Sequence, residues 1–432
     1  MCWLDCFERA SWRVPTVFLP HPYRIPASGA FPAFPEILTC RSTFVLLLST
    51  QIFLLPLLHT TKIGVLGGGQ LGSMLLRSAL DFGFQISILD GNAACTSAPF
   101  VRNFTLAAPT DAEAVYAFGK DQDIVTIEME AVSVAALERL ETEGVKVFPQ
   151  ARVIKMIQDK GLQKAWLLEA GFPTAAGKVI SGKSALLDEK IAYPMVLKSC
   201  RGGYDGQGVM MLRSEADLES AFEGESVLEE AIDLAKEISV IVARNERGEI
   251  AVYEPVEMVF KPGKFILDYQ LCPAAGVPET TLTKAETLAR NIAEKLQFVG
   301  ILAVEMFIDS SGNLLVNEMA PRPHNSGHHT IEAVVTSQYE QLLRAICNLP
   351  LGSTQTLLPS AMVNFLEPDT TDVTLSGKMI DALLQIPGAH LHWYGKSGGK
   401  AGRKMGHVTI ALPQMEAVKS TMEEVQSVLE ME

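Results

Sequence analysis

Glu305 and Glu318 flank Asp309-Ser310-Ser311-Gly312-Asn313, a cluster of turn-forming residues. The runs on either side, Ile301–Ile308 and Leu314–Met319, are apolar, so the stretch from Gly300 to Pro323 reads as a β-hairpin. A loop symmetric about Ser311 and Gly312 sets Glu305 opposite Glu318 and Phe307 opposite Val316. Two carboxylates then share one face, with side chains about 5 Å apart. Like charges so placed are destabilising unless a cation lies between them. Hard oxygen ligands at that separation suit Mg²⁺, which keeps waters and shares its shell with substrate phosphates. On a solvent-facing sheet the same two acids would simply be hydrated.

A second group of residues suits phosphate. The strand Tyr193–Ser199 carries Lys198 and leads into Gly202-Gly203-Tyr204-Asp205-Gly206-Gln207-Gly208. Backbone N–H groups of such a glycine loop can approach phosphate oxygens closely, and Lys198 adds a point charge at its base. No G-K-[ST] follows, so this is not a Walker loop. The strands Val227–Ile232 and Ile238–Arg244 bracket Glu229, Glu230, Asp233 and Glu237. Such a strand edge can take an adenine and such a carboxylate a ribose, or the acids are a solvated cluster. Arg322, in the polar segment after the hairpin, can clamp a planar oxyanion. Lys396, Lys400, Arg403 and Lys404 form the one dense basic cluster, within the glycine-rich segment 391–407. That cluster would hold a phosphorylated substrate or be a solvated turn.

These residues need elements to position them. Lys62–Leu66 and Phe84–Asp90 read as strands around a helix over Ser73–Phe82. Gly67, Gly69 and Gly72 match G-x-G-x-x-G, with Asp90 where a ribose-binding acid would stand. A nicotinamide or flavin enzyme fits that pattern, and so does any α/β fold using the turn to pack a helix. Asp123–Met129 is a further strand, with two acids, Glu128 and Glu130, at its carboxyl end, where open sheets place ligands or where they are simply hydrated. Arg152–Leu168 reads as one helix and Ala285–Lys295 as an amphipathic one.

At 432 residues, 48% hydrophobic and 20% charged, the chain is globular with two or three domains. A net charge of −14 excludes nucleic acid as a general partner. Seven cysteines without a C-x-x-C pair fit reduced thiols in the cytoplasm. Residues 1–61 hold seven of the 23 prolines and read as an extension, disordered or not native. Their apolar run Phe44–Leu58 is interrupted by Ser49, Thr50, Gln51 and Pro56. It is shorter than the roughly 20 residues of a membrane span.

In order, G-G-G-Q-L-G at 67–72, T-I-E-M-E at 126–130, Q-D-K-x-x-Q-K at 158–164 and G-G-Y-D-G-Q-G at 202–208 precede N-E-M-A-P-R-P-H-N-S-G-H at 317–328. H-W-Y-G-K at 392–396 and G-R-K-M-G-H at 402–407 complete the set. From about Lys62 onward the chain resembles the ATP-grasp ligases and, within them, the 5-(carboxyamino)imidazole ribonucleotide synthase family of purine biosynthesis. The resemblance implies an α/β fold of three domains. These are a Rossmann-like parallel sheet over 62–155, a small central α+β lid over 156–235, and a mixed-sheet domain over 236–432 ending in a basic-loop subdomain.

It further implies ATP and Mg²⁺ as cofactors, 5-aminoimidazole ribonucleotide and bicarbonate as substrates, and a cytoplasmic homodimer. Lys160, Lys198, Gly202, Gly203, Tyr204, Asp205, Gly206, Gln207 and Gly208 would meet ATP. Glu229, Glu230, Ala231 and Ile232 would line the adenine, and Glu237 the ribose. Glu305 and Glu318 would carry Mg²⁺, with Asn317 beside them. Gln70, Glu130, Tyr204, Gln207, Lys396 and Arg403 would hold the ribonucleotide. Arg322, His324, Asn325 and Lys396 would stand at the reacting groups. Similar enzymes often carry a basic residue at Gln207, and Asn and His where this chain has Met258 and Phe260. Other expectations remain open: a formate- or glycine-using purine ligase, a Rossmann oxidoreductase, or a non-catalytic nucleotide-binding protein.

Overall fold

Short β-branched runs joined by amphipathic helices make parallel strands, and the first part of the chain follows that rule. β1 (Lys62–Leu66), β2 (Gln85–Asp90), β3 (Asn103–Leu106), β4 (Ile124–Ile127) and β5 (Lys146–Val147) form a parallel sheet in the order β3-β2-β1-β4-β5. Helices α1 (Gln70–Phe82), α2 (Ala112–Gly119) and α3 (Val134–Thr142) connect its strands. α1 starts three residues before the expected Ser73, because the glycine turn supplies its first acceptor: Ser73 N–H donates to Gly69 O at 3.1 Å. The protein is seen here as a computed structural model that describes residues 60–203, 208–263, 265–367, 375–396 and 402–430. The extension up to residue 59, Tyr204, Asp205, Gly206 and Gln207 of the glycine loop, and Lys400 lie outside the described residues.

The helix expected over Arg152–Leu168 is two, α4 (Ala151–Ile157) and α5 (Lys160–Glu169). Asp159 breaks it: its backbone is extended, and Oδ1 accepts from Gly161 N at 2.9 Å and Leu162 N at 3.1 Å. An acidic N-cap of this kind restarts the chain in a new direction. The break leaves Lys160 as the first residue of α5, free of the helix interior.

β6 (Gly177–Ile180), β7 (Met195–Ser199), β8 (Val209–Leu212) and β9 (Ser226–Glu230) form a small antiparallel sheet in the order β6-β9-β7-β8. The large sheet takes β10 (Leu234–Arg244), β11 (Ile250–Val252), β12 (Val256–Phe260), β13 (Leu267–Cys272), β14 (Gly300–Asp309) and β15 (Leu314–Ala320). It continues through β16 (Ser360–Leu366), β17 (Ala389–Trp393) and β18 (Lys404–Ala411). A mixed sheet was expected; every pairing of its described strands is antiparallel, and hairpins join half of the paired neighbours. No helix of the described residues is long and apolar enough to cross a membrane.

β14 shows how burial aims the site. Its even positions Leu302, Val304, Met306 and Ile308 pack with α6 (Glu279–Leu296) through Leu282, Ala289 and Ile292. The odd positions Ile301 and Ala303 pack with α7 (Gln338–Ile346) through Leu342 and Leu343. Glu305 continues that odd face beyond the apolar cluster.

Candidate active site

Glu305 pairs with Glu318 across β14 and β15, as the hairpin pattern predicts. The expected Phe307–Val316 pair is not formed: Met306 faces Val316 and Phe307 faces Leu315, with a bulge after Glu305. The bulge has a packing cause. Val316 and Met319 both sit in the α6 core, a spacing of three that a regular strand cannot achieve. The two residues between them, Asn317 and Glu318, then both line the cleft.

That cleft is lined by α5 (Lys160, Gln163, Lys164, Leu167), by Lys198, by Val227 and Glu229 of β9, and by Asn317 and Glu318. Lys160 donates to Glu318, and Lys198 donates to Asn317 Oδ1 at 2.7 Å. Glu229 is clamped from both sides, by Lys164 at 2.6 Å and Lys198 at 2.7 Å. Burial would raise its carboxyl, yet the two ammonium groups hold it below the ordinary range. Lys164 was quoted in a motif but given no role. Its Nζ also reaches Thr174 Oγ1 at 2.7 Å and Ala175 O at 2.8 Å, so all three protons are used. The signal was its place four residues after Lys160 on one helix.

Glu305 and Glu318 respond unequally. Burial, and then the charge of Glu318, push Glu305 up, while Lys160 draws Glu318 down against its own burial. Glu237, on β10, is pushed up to about 7 by burial, only partly opposed by Lys198. Next along the hairpin, His324 Nε2 lies 3.3 Å from Glu305. Its Nδ1 accepts from Ser326 N–H at 3.3 Å, which leaves the proton on Nε2, facing the carboxylate. Arg322 pairs with Glu130 at 2.9 Å, and Gln158 Nε2 donates to the Glu130 carbonyl at 2.6 Å. The structure thus brings Lys160, Lys198, Glu229, Asn317, Glu318, Glu305 and His324 into one connected line, with the Arg322–Glu130 pair beginning two residues before His324 in the chain.

The remaining expected residues are placed differently. Glu230, the last residue of β9, is exposed where Glu229 is buried, and Ala231 and Ile232 follow it, half-buried. Asn325 forms a reciprocal amide pair with Asn364, at 3.0 and 2.8 Å, in the interior. That pairing gives its side chain a role in joining the hairpin to β16. Gln70 opens α1, and its carbonyl takes the Ser73 hydroxyl. Lys396 donates to Lys404 O at 2.7 Å, and Arg403 O accepts from Glu367 N–H at 2.8 Å. The charge of Lys404 offsets a small part of the rise in Glu305, so Lys404 lies within electrostatic reach of the carboxylate pair. Gly202 and Gly203 are described at one end of the glycine loop and Gly208 at the other, with Ser199 N–H donating to Gly208 O at 2.8 Å.

Asp90 overturns the dinucleotide reading of the first turn. It is buried, and its carboxylate accepts from Gly68 N–H and Asn92 N–H, each at 2.7 Å. Glu128, expected with Glu130 at a ligand-facing strand end or as a hydrated surface acid, is instead buried against this turn. Its Oε1 accepts from Leu71 N–H at 3.1 Å, and a Cβ on Gly69 would lie 2.7 Å from that oxygen. A Cβ on Gly67, at φ +101°, would lie 2.8 Å from Oε2. The glycine fingerprint accommodates a carboxylate of the chain itself.

A cleft of lysines facing paired carboxylates, between a small antiparallel sheet and a larger one, defines an ATP-grasp ligase. Residues 166–339 match the ATP-grasp domain and residues 60–158 the ribonucleotide synthetase preATP-grasp domain. Residues 360–421 match the phosphoribosylaminoimidazole carboxylase C-terminal domain. The chain is 38% identical over 356 residues to N5-carboxyaminoimidazole ribonucleotide synthase of Bacillus subtilis, covering 80% of this chain and 90% of that one. It is similar to the crystal structure of N5-carboxyaminoimidazole ribonucleotide synthetase from Thermotoga maritima, with TM-score 0.78 and 38% identity, over 85% of this chain and 98% of that one. The Aspergillus clavatus synthase, solved in complex with ADP and 5-aminoimidazole ribonucleotide, matches with TM-score 0.78 and 32% identity, over 86% and 99% of the two chains. The chain belongs to the N5-carboxyaminoimidazole ribonucleotide synthase family.

Proposed function

We infer that this protein uses ATP and bicarbonate to carboxylate the amine of 5-aminoimidazole ribonucleotide in purine biosynthesis. Products are 5-(carboxyamino)imidazole ribonucleotide, ADP and phosphate. The observation that carries the site assignment is the line of contacts from the lysine cleft through Glu318, Glu305 and His324. Bicarbonate is a poor electrophile. One of its oxygens attacks the γ-phosphorus of ATP and ADP leaves, giving carboxyphosphate. The exocyclic amine then attacks the carboxyl carbon, phosphate departs, and the nitrogen loses a proton.

The residues divide this work. Lys160 and Lys198 meet the phosphates and offset charge during in-line transfer. Glu237 lies where a ribose hydroxyl would donate to it, and the β9 edge from Glu229 to Ile232 takes the adenine. Glu305 and Glu318 fit Mg²⁺: two half-buried carboxylates in register, one pushed up by desolvation and by the charge of the other, are what a divalent cation relieves. Bound there with Asn317 beside it, the ion would supply charge neutralisation for the phosphates. Arg322 orients the planar bicarbonate. His324, with its proton on Nε2, stands at the reacting amine. Glu130, Lys396 and Arg403 hold the ribonucleotide, with Gln70 at the adjoining helix start. The same reading extends to a cytoplasmic homodimer, which sedimentation of the purified chain tests.

The deciding experiment is ADP release by purified protein. It should require both bicarbonate and 5-aminoimidazole ribonucleotide. ADP release that is independent of either substrate, or supported by formate or glycine in place of bicarbonate, defeats the reading.

A further inference from the structure

Three histidines stack in the interior between segments that carry the site's cations. His392 and His407 are cross-strand partners on β17 and β18, with ring centroids 4.3 Å apart and planes 4° from parallel. His328 lies on the other side of His407, at 4.6 Å. Each ring is held by a named partner: His392 Nε2 by Glu332 at 2.8 Å, His328 Nδ1 by the Tyr339 hydroxyl at 3.1 Å, and His407 Nδ1 by the Tyr394 hydroxyl at 2.7 Å. His328 and His407 are fully buried, and neither Nε2 has a hydrogen-bond partner among the described residues. In both rings the polar atom that is put to use is therefore Nδ1.

Tyr394 joins this stack to the basic segment. Its hydroxyl enters the interior to meet His407, and its ring face lies 5.2 Å from Lys396 Nζ, within cation–π range. The same ammonium donates to Lys404 O at 2.7 Å, which ties it to the first residue of β18, three residues before His407. Burial holds His407 neutral, so that its Nδ1 accepts, and keeps the Tyr394 hydroxyl protonated, so that it donates. Neither residue has a part in the chemistry described above.

We propose that Tyr394 is a positioning residue for the ribonucleotide site: anchored by its hydroxyl on His407, its ring fixes the Lys396 ammonium that meets the substrate. This rests on the reading of Lys396 as a substrate contact. Removing the hydroxyl leaves the ring packed but unties it from His407, so the ring no longer holds the ammonium in one direction while its charge remains.

The test is steady-state kinetics on Tyr394→Phe, His407→Leu and His407→Asn beside Lys396→Met. Tyr394→Phe keeps the ring and the packing, so it stays informative even if His407→Leu fails to fold. Loss of one buried hydrogen bond should raise KM for 5-aminoimidazole ribonucleotide about fivefold in Tyr394→Phe, with KM for ATP within about twofold. His407→Asn, whose Oδ1 can take the place of Nδ1, should recover most of the loss seen in His407→Leu. An unchanged ribonucleotide KM in Tyr394→Phe, with a raised one in Lys396→Met, overturns the positioning role alone. An unchanged KM in Lys396→Met overturns the substrate reading and the proposal with it. Parallel rises in both KM values with a fall in Tm also overturn it, because they mark a structural role.

Discussion

Two buried carboxylates, Glu229 in the cleft and Glu128 in the glycine turn, are 4% and 8% exposed, yet they are treated oppositely. Glu229 sits between two lysines and is held below the ordinary carboxylate range. Glu128 receives backbone N–H groups at the start of α1, with Arg322 as its main opposing charge, and burial still pushes it up to about 7. Backbone dipoles offset the loss of hydration less well than full charges placed at hydrogen-bond distance. The cleft therefore keeps its acids ionised with cations that a nucleotide's phosphates can share. The turn instead encloses a carboxylate of the chain itself.

Substitutions that remove one charge at a time separate the two regions. The largest effect belongs to the cleft. Glu318→Gln keeps the shape of the hairpin but removes half of the carboxylate pair, and turnover should fall by about 10²–10³. Bicarbonate-dependent ADP release measures it, with circular dichroism to show the fold intact. A loss of less than about tenfold would place the metal-binding and phosphate chemistry elsewhere.

Next is the turn, through pH. Unfolded, Glu128 would ionise near 4.3; folded, its carboxyl is pushed up to about 7. The native state holds the proton longer, so stability falls as pH rises from about 4.5 to 7 and levels off above. The full difference corresponds to about 4 kcal/mol. Glu128→Gln keeps an acceptor for Leu71 N–H and cannot titrate. Urea midpoints of the two proteins should therefore diverge across that window, with wild type losing ground as pH rises. Parallel curves would mean that Glu128 is solvated or otherwise compensated.

How much of this could be read from the residues alone differs by region for the same physical reason. The carboxylate pair was reached through a loop symmetric about Ser311 and Gly312, whereas the turn is centred on Ser311 and would by itself set Glu305 opposite Asn317; the bulge brings Glu318 into register. The bulge was not used, although Val316 and Met319, three apart and both apolar, record it. The break at Asp159 was hidden because an apolar helical period runs across it, and an N-cap in mid-pattern competes with that period. The glycine turn misled because G-x-G-x-x-G reports only where Cβ atoms must be absent. What fills the space, Glu128, comes from β4's end and is set by tertiary packing. Likewise no local pattern reports that His328, His392 and His407 converge, since their segments meet only in the fold.

Lys164→Met sharpens the cleft side. It removes three donated hydrogen bonds but leaves Glu229 compensated by Lys198, so the cost should be about 2 kcal/mol, less than for an uncompensated buried charge. The depressed Glu229 carboxyl contributes stability above the ordinary carboxylate range and loses it as pH falls through its folded value. The deficit of Lys164→Met should therefore shrink in acid, as Glu229 becomes protonated in both proteins. A deficit of the same size at pH 3 and pH 7 would mean that Lys164 acts through packing alone.

The smallest effect falls on Asp90, and it separates the two readings of the turn. Asp90→Asn keeps one oxygen for Gly68 N–H but replaces the oxygen that accepts from Asn92 N–H with a donor. Loss of that one charged acceptor should cost about 1 kcal/mol in urea unfolding. A ribose-binding acid would behave otherwise: stability would hardly move, while nucleotide affinity would collapse. Both buried bonds of Asp90 run to its own turn, 22 and two residues away, so the stability term is the one expected to change. KM for ATP should stay at the wild-type value, since the lysine cleft is built from α5, β7, β9 and β15 and takes nothing from this turn. A rise of tenfold or more in that KM would return the glycine turn to nucleotide binding and erase the contrast between the two regions.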